Sequence, residues 1–274
     1  MTLAFTKMQA AGNDFMVVVG RSLPVPPGER IRTLADRRRG IGFDQLLWVE
    51  EPGETSAPVH YRVFNADGGE AGQCGNGALC IAALVADRRQ SGKEIRLTCP
   101  GGTVRALAGN GNSVRCSLGR PQWLPERVPF HAGEEAPSYA LAVDGESWDV
   151  EVLSLGNPHA VIAVDDVTTA PVAELGSRLS VHERFPRGCN VGFAQTTGEQ
   201  ALRLRVYERG VGETPACGTG ACAAAVAGIR YGRVRSPVDV EMSGGEVRVE
   251  WAGDNEPVWL AGTIGHVFEG RVQL

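Results

Sequence analysis

The sequence predicts a strand-rich α/β (α+β) fold made of two similar halves, each a sheet wrapped around a central helix. Three observations support this prediction. The 274 residues contain an internal repeat, strand-like segments outnumber helical ones, and each half has one apolar, alanine-rich stretch. We therefore expect two pseudo-symmetric domains and not one large one.

The repeat aligns residues 65–82 with residues 208–225, and seven of the 18 positions are identical. It places Cys74 opposite Cys217 at an offset of 143, and Asn13 aligns with Asn157 at an offset of 144. The shared order and spacing indicate a duplication. We expect one half at 1–118 with a C-terminal strand at 263–274, the other half at 119–262, and a proline-rich connection at 120–137.

Individual elements follow from the hydrophobic pattern. Strands are predicted at 45–50, 59–64, 94–99, 150–155, 160–164, 191–194, 202–207, 238–242 and 247–251. Surface helices are predicted at 27–38 and 172–179. The stretches 78–87 and 221–229 are too apolar for surface helices, so each is expected to be the buried helix of its half.

Composition excludes several classes of protein. With 43% hydrophobic and 22% charged residues, the chain is globular and not disordered. Its longest nearly unbroken apolar run, 78–86, is shorter than the roughly 20 residues of a membrane-spanning helix, and its N-terminus lacks the charge order of a secretory signal. The net charge is −5 and the sequence has no long basic run, so it does not predict a nucleic-acid-binding surface. We expect a cytoplasmic protein with a small-molecule partner.

The seven cysteines are odd in number and form no C-x-x-C pair, which argues against a full disulfide framework and against a zinc site. No metal is expected. The repeat separates Cys74 and Cys217 from the others, which are expected to be buried structural residues: Cys80, Cys99, Cys116, Cys189 and Cys222.

Both repeated cysteines stand before glycines at the start of a predicted helix, in Cys74-Gly-Asn-Gly and Cys217-Gly-Thr-Gly. A helix N-terminus binds anions through its N–H groups and lowers the pKa of a thiol toward neutrality. One thiol on each face of an acidic carbon, in a cleft between the halves, would invert that carbon by proton removal and delivery. Lys7 and Lys93 are poor Schiff-base candidates, so no pyridoxal phosphate or other cofactor is expected.

These motifs, in this order, resemble those of the diaminopimelate epimerase family of pyridoxal-phosphate-independent amino-acid epimerases, over nearly the whole chain. The resemblance is carried by Gly12-Asn-Asp-Phe15, Gly42-Phe-Asp-Gln45, Asn65-Ala-Asp-Gly68, Cys74-Gly-Asn-Gly77, Gly156-Asn-Pro-His159, Cys189-Asn-Val191, Tyr207-Glu-Arg-Gly210 and Ala216-Cys-Gly-Thr-Gly220. It implies mostly antiparallel sheets, a homodimer, and interconversion of LL- and meso-2,6-diaminopimelate in lysine and peptidoglycan precursor biosynthesis.

The same resemblance implies residue roles. Cys217 would accept the proton from the LL-substrate and Cys74 would donate one, while His159 and Glu208 would adjust the thiol pKa values. The substrate-binding set would be Asn13, Gln45, Asn65, Gly75, Asn76, Asn157, Asn190, Glu208, Arg209, Gly218 and Thr219.

Two positions depart from the family pattern. Gly72 stands where a bulkier residue is expected, and Phe268 stands where relatives often have a tyrosine at the dimer contact.

Other functions remain open from the sequence. A proline or hydroxyproline racemase would use the same pair of thiols but would not need the asparagine and arginine set. A phenazine-type isomerase lacks the cysteine pair. A non-catalytic amino-acid-binding protein with redox-sensitive thiols is an alternative of a different class.

Overall fold

A computed structural model describes residues 2–20, 24–50, 57–89, 94–109 and 113–273. Its contacts divide the chain into two compact units: unit 1, Met1–Ser117 with Ala261–Leu274, and unit 2, Leu118–Leu260. No helix in these described ranges is long and apolar enough to cross a membrane.

Unit 1 contains two helices and nine strands among its described residues. The helices are α1 (Gly28–Ala35) and α2 (Gly75–Arg89). The strands are β1 (Thr2–Ala10), β2 (Asn13–Gly20), β3 (Gln45–Glu50), β4 (Val59–Asn65), β5 (Glu70–Ala71), β6 (Ile95–Cys99), β7 (Gly102–Ala108), β8 (Ser113–Ser117) and β17 (Trp259–Gln273), the last of which begins two residues before the unit boundary.

The sheet of unit 1 closes on itself. Strand pairs run β1–β2–β3–β4–β6–β7–β8, and β17 joins β8 to β1. The pairs β2–β3 and β4–β6 are parallel, because α1 and α2 are the crossovers between their strands. Helix α2 lies inside this barrel, where it contacts β1, β2, β3, β6, β7 and β8. Its residues from Gly75 to Ala82 are all buried, as expected for an apolar central helix.

Unit 2 repeats this arrangement. Its helices are α3 (Val172–Leu179) and α4 (Gly218–Arg230), and a short 3₁₀ helix spans Pro125–Arg127. Its strands are β9 (Tyr139–Val143), β10 (Glu146–Ser154), β11 (Pro158–Ala163), β12 (Asn190–Gly198), β13 (Ala201–Glu208), β14 (Gly212–Thr214), β15 (Val238–Met242) and β16 (Gly245–Glu250).

Strand pairing shows the internal symmetry directly. In unit 2, β10–β11, β12–β13, β13–β14 and β15–β16 are antiparallel, and β11–β12 and β13–β15 are parallel. Unit 1 has the same sequence of pairings from β1 to β7. Helix α4 occupies the position of α2 and is buried from Gly218 to Gly228. The predicted strand-rich fold with one central helix per half is confirmed.

The sheets are also covered on the outside. In unit 1, Ile31 and Leu34 of α1 pack against Leu46 and Trp48 of β3, while the neighbouring residue Leu47 points toward α2. This strand is therefore buried on both faces, in keeping with the apolar run Leu46–Val49. In unit 2, α3 covers β12 and β13 in the same way.

Several predicted boundaries change. The first surface helix is shorter than 27–38, because Pro27 is its N-cap residue and the Asp36 side chain accepts the N–H groups of Arg38 and Arg39. The stretch 120–137, predicted to connect the halves, belongs to unit 2: Gln122 bridges to Ser154, and Val128 and Phe130 lie in the core of that unit. The C-terminal strand starts at Trp259 and not at 263.

Candidate active site

Cys74 is the residue immediately before α2, the buried helix of unit 1. Its sulfur accepts a hydrogen bond from the backbone N–H of Gly77 at 3.3 Å, and its thiol is 3.8 Å from Oδ1 of Asn13. A Cβ at position 77 would lie 2.9 Å from Leu47 Cδ2 and 3.4 Å from the Cys74 Cβ. The glycine therefore lets the start of the helix approach both the sheet and the thiol.

Cys217 has the equivalent place in unit 2. It is the N-cap residue of α4, with an extended backbone, and its sulfur accepts the backbone N–H of Gly220. A Cβ at position 220 would lie 3.0 Å from Val206 Cγ2 and 3.3 Å from the Cys217 sulfur. In both units, then, the third residue after the cysteine is a glycine whose N–H points at the sulfur.

The electrostatics of Cys217 differ from the expectation of a thiol pKa near neutrality. Burial raises the pKa of Cys217 well above its usual value, and the Glu208 carboxylate raises it further. Thr219 and the Gly220 N–H act in the opposite direction without overcoming these effects. The thiol is 3.3 Å from Glu208 Oε2, so it donates its proton to that carboxylate. Without substrate, Cys217 is held in its protonated form.

Glu208 is fixed at the end of β13. Its second oxygen, Oε1, accepts the Thr214 hydroxyl at 2.6 Å. Because one oxygen is occupied by Thr214, the other remains directed at the Cys217 sulfur. The sequence motif identified Glu208 but gave no signal for Thr214.

Asn13 begins β2, close to the start of α2. Its amide nitrogen donates to Asp44 Oδ2 at 2.9 Å, and its carbonyl oxygen accepts the Cys74 thiol. Gln45 and Asn65 face each other across β3 and β4, and Gln45 Nε2 donates to Asn65 Oδ1 at 2.9 Å. The structure thus joins Asn13 to Cys74 and Gln45 to Asn65 within unit 1.

Asn157, the counterpart of Asn13, has a different set of partners. Its carbonyl oxygen is 3.1 Å from His159 Nε2, and its amide nitrogen donates to Thr219 Oγ1 at 3.3 Å. Burial, with a further contribution from Arg209, lowers the pKa of His159 to about 3, so the imidazole is neutral. Since Asn157 Oδ1 only accepts, His159 carries its proton on Nε2. Through this bond His159 orients Asn157, whose amide nitrogen then faces Thr219.

Asn190 and Arg209 lie at neighbouring strand ends. The Arg209 backbone N–H donates to Asn190 Oδ1 at 2.9 Å, and its guanidinium donates to the Arg187 carbonyl at 2.7 Å. Asn190 is also paired in register with His159 on β11. The structure therefore brings Asn157, His159, Asn190 and Arg209 together around one end of the unit 2 sheet.

A family model for diaminopimelate epimerase matches residues 5–124 and 152–267. The chain belongs to the diaminopimelate epimerase family. Curated relatives with this name include those of Pseudomonas aeruginosa and Stutzerimonas stutzeri, each 48% identical over 277 residues and covering all of both chains. The relative from Pseudomonas syringae is 46% identical, again over both full lengths.

Solved structures share the fold at low identity. A hydroxyproline epimerase from Agrobacterium vitis aligns with a TM-score of 0.72 and 14% identity, covering 99% of this chain and 92% of that one. A phenazine biosynthesis protein from Bacillus anthracis aligns with a TM-score of 0.70 and 16% identity over both full chains. These two structures show the fold that the chain shares with them. The family is shown by the curated relatives, which are 46–48% identical to the chain.

Four of the remaining cysteines fit the structural role expected of them. Cys80, Cys116, Cys189 and Cys222 are fully buried, and burial raises the pKa of each thiol. Cys99 differs because it is only half-buried; its thiol donates to the Gly102 carbonyl at 3.5 Å.

The two positions that depart from the family pattern, Gly72 and Phe268, have few close neighbours. A Cβ at position 72 would meet only Gly101 within 4 Å, at 3.9 Å, which is an ordinary van der Waals distance. Phe268 lies on β17 and is 47% exposed, with its ring edge-on to Phe5.

Sequence reasoning missed an ionic cluster beside Asn13. Lys7 donates to the Asp14 carboxylate and the Gly42 carbonyl, while Arg37 bridges Asp14 and Asp44. Burial alone would raise the pKa of Asp14, but the hydrogen bonds from Arg37 and Lys7 hold it well below its usual range. Lys7 is thus committed to this cluster, and Lys93 lies outside the described residues. The charged residues at 7, 14 and 44 were visible in the sequence, but their pairing depends on the β1–β2 and β2–β3 register.

Proposed function

We propose that the chain interconverts LL- and meso-2,6-diaminopimelate by a two-base mechanism, with Cys217 as the base and Cys74 as the acid when the LL-isomer is the substrate. The observation that carries the proposal is the repeated geometry at the two cysteines: each stands at the start of a buried helix, with a glycine N–H directed at its sulfur. Membership of the family supplies the substrate.

In the LL direction, the Cys217 thiolate removes the α-proton, so the C–H bond breaks and its electron pair moves toward the substrate carboxylate. A new C–H bond then forms on the opposite face with the proton of Cys74, which becomes the thiolate. The reverse reaction exchanges the two roles. Neither sulfur bonds to carbon, and no electron acceptor is needed.

Glu208 gives the Cys217 proton a destination. In the structure the thiol donates to Glu208 Oε2, so formation of the thiolate requires the proton to move along an existing hydrogen bond. We propose that substrate binding shifts this proton to the carboxylate, because a bound α-ammonium group beside the sulfur favours the thiolate.

The reacting carboxylate would bind at the helix starts. The first N–H groups of a helix have no carbonyl partner within it, and these belong to Gly75 and Asn76 in α2 and to Gly218 and Thr219 in α4. They would also stabilise the charge that develops on the carboxylate as the α-carbon loses its proton. This electrostatic support takes the place of an electron-withdrawing cofactor in the proposal.

The distal amino-acid end of the substrate would bind the polar set of side chains. Arg209 offers a planar fork that suits a carboxylate, and Asn190 holds the Arg209 backbone in place. Other side chains of the set would bind the remaining polar groups of the substrate through their amides or carboxylate. These side chains are Asn13, Gln45, Asn65, Asn157 and Glu208.

We also propose the cellular setting implied by this reaction: lysine and peptidoglycan precursor biosynthesis in the cytoplasm. A homodimer belongs to the same proposal. Val267 and Phe268 on β17 are 56% and 47% exposed, which gives this strand an apolar surface that would suit a second copy.

The experiment that tests the function is hydrogen exchange. The reduced protein in deuterium oxide is expected to exchange the α-proton of LL-diaminopimelate and to produce the meso-isomer. Exchange of the proline α-proton instead would favour a racemase. Binding of diaminopimelate without any exchange would favour a non-catalytic amino-acid-binding protein.

A further inference from the structure

We propose that Asp44 is a positioning residue for the acid cysteine: its carboxylate fixes the orientation of the Asn13 side-chain amide, so that the Asn13 carbonyl faces the Cys74 thiol. That Cys74 is an acid rests on the proposed function. The orientation of Asn13 by Asp44 rests only on contacts within unit 1.

The contact with Asp44 decides which end of the Asn13 side-chain amide faces Cys74. Asp44 Oδ2 is 2.9 Å from Asn13 Nδ2, and a carboxylate oxygen can only accept. The nitrogen end of the amide must therefore face Asp44. The oxygen end is left facing the Cys74 thiol, 3.8 Å from its sulfur.

The Asp44 carboxylate is itself held in place by several hydrogen bonds. Its Oδ2 also accepts the Asp14 backbone N–H at 3.1 Å, and its Oδ1 accepts Arg37 at 2.7 Å. In return, the Asp44 backbone N–H donates to Asp14 Oδ1 at 3.0 Å. Both oxygens of Asp44 are thus held by groups outside the Cys74 contact, and the carboxylate cannot rotate freely to release Asn13.

The orientation of Asn13 affects the protonation of the Cys74 thiol. An acceptor facing a thiol stabilises its protonated form, which is the form that an acid must have before turnover. Tyr61 on β4 and Cys80 on α2 also interact with Cys74, and burial raises the pKa of both well above their usual values. Both therefore stay neutral near neutral pH, while the charged groups behind Asn13 remain paired with one another: Lys7, Asp14, Arg37 and Asp44.

The test follows alkylation of Cys74 by iodoacetamide across pH in the full-length protein, quantified on its peptide by mass spectrometry. Asp44→Ala is expected to move the midpoint of the alkylation profile to lower pH by about half a unit to one unit, because a hydrogen bond worth about 1 kcal/mol is lost. Cys99, a half-buried thiol of the same unit, is the internal control and should keep its midpoint.

Two further variants separate orientation from charge. Asp44→Asn removes the charge but keeps an acceptor for Asn13, so its midpoint should stay near that of the wild type. Asp44→Glu keeps the charge but displaces the acceptor by one methylene group, so its midpoint should move as in D44A. If the Asn variant moves and the Glu variant does not, charge and not orientation is responsible and the proposal is wrong. D44E also retains a carboxylate for Arg37, so it serves if D44A does not fold.

A double-mutant comparison completes the test. In an Asn13→Ala background, Asp44→Glu should have no further effect on Cys74, because the amide through which it acts is absent. A further shift in that background would overturn the proposal. Alkylation needs no substrate, so failure of the wild type to exchange diaminopimelate protons would reject the proposed function and leave this result interpretable.

Discussion

The sulfur of Cys217 lies 3.3 Å from Oε2 of Glu208, so the buried thiol of unit 2 is hydrogen-bonded to a carboxylate that is itself held by Thr214. The contact has two opposing effects. The negative charge stabilises the protonated thiol, and the same oxygen is the nearest acceptor for the proton when the thiolate forms.

Glu208→Gln separates these effects. Because Glu208 raises the pKa of Cys217, its neutral replacement should move the acidic limb of the kcat/KM profile for LL-diaminopimelate to lower pH. The maximum rate should still fall by about ten- to a thousand-fold, since the proton acceptor is lost. Glu213→Gln is the matched control, because Glu213 pairs with Arg205 and does not touch the sulfur. An unchanged acidic limb would contradict the assigned interaction.

Cys74→Ala and Cys217→Ala should each reduce epimerisation by at least about a thousand-fold, because each removes one partner of the proton relay. The free energy of unfolding should fall by only about 1 kcal/mol, as only one sulfur atom is lost from each site. Cys222→Ala is the control, being a buried cysteine on the same helix as the Cys217 cap. Steady-state rates and urea unfolding of the three variants measure both quantities; normal turnover in either catalytic variant would reject the two-thiol mechanism.

Arg209→Lys should raise KM for diaminopimelate by about ten- to a hundred-fold with a smaller change in kcat. Lysine keeps the charge but loses the fork that binds a carboxylate through two parallel bonds. Arg203→Lys, on β13 and paired with exposed Glu241, should leave KM unchanged. A kcat defect at unchanged KM would place Arg209 in the chemical step and not in distal binding.

His159 should make stability depend on pH. Its pKa is about 3 in the folded protein and near 6.5 in an unfolded chain, so below pH 6.5 only the unfolded chain takes up the proton. The stability is fully present above about pH 6.5 and falls by about 1.4 kcal/mol per pH unit as the pH decreases toward 3. Urea unfolding of the wild type and of His159→Gln at several pH values measures this. The difference between the two proteins should shrink as the pH falls, and a constant difference would mean that His159 is not neutral in the fold.

Phe268→Glu should convert the proposed dimer to a monomer, because it places a charge on the exposed apolar part of β17. Light scattering across a concentration series measures the mass. Val181→Glu is the control, since Val181 is 74% exposed in unit 2 and should leave the mass unchanged. A dimer that survives the Phe268 change would move the interface away from this strand.

Much of the architecture was predictable from the sequence, because its signals are local. The predicted strands at 45–50 and 238–242 and the helix at 172–179 match the structure, since each shows clear periodicity or a compact apolar run. Strand β1 and the hairpin β7–β8 were missed. In β1 the buried Lys7 interrupts the apolar pattern and finds its partners only after folding. The cysteine pair came from the repeat, whereas the burial of Cys217 and the Asp44 contact depend on distant segments that no local pattern reveals.

The side-chain amides of Asn13 and Asn157 are oriented differently toward their neighbours. The residue is the same in both halves, but its hydrogen-bond partner differs: Asp44 for Asn13 and His159 for Asn157. Asn13 presents its carbonyl oxygen to the Cys74 sulfur, whereas Asn157 donates its amide N–H to the Thr219 hydroxyl. The two halves are thus unequal at a position where their residues are identical, and a comparison of residue identities between the repeats would not detect the difference.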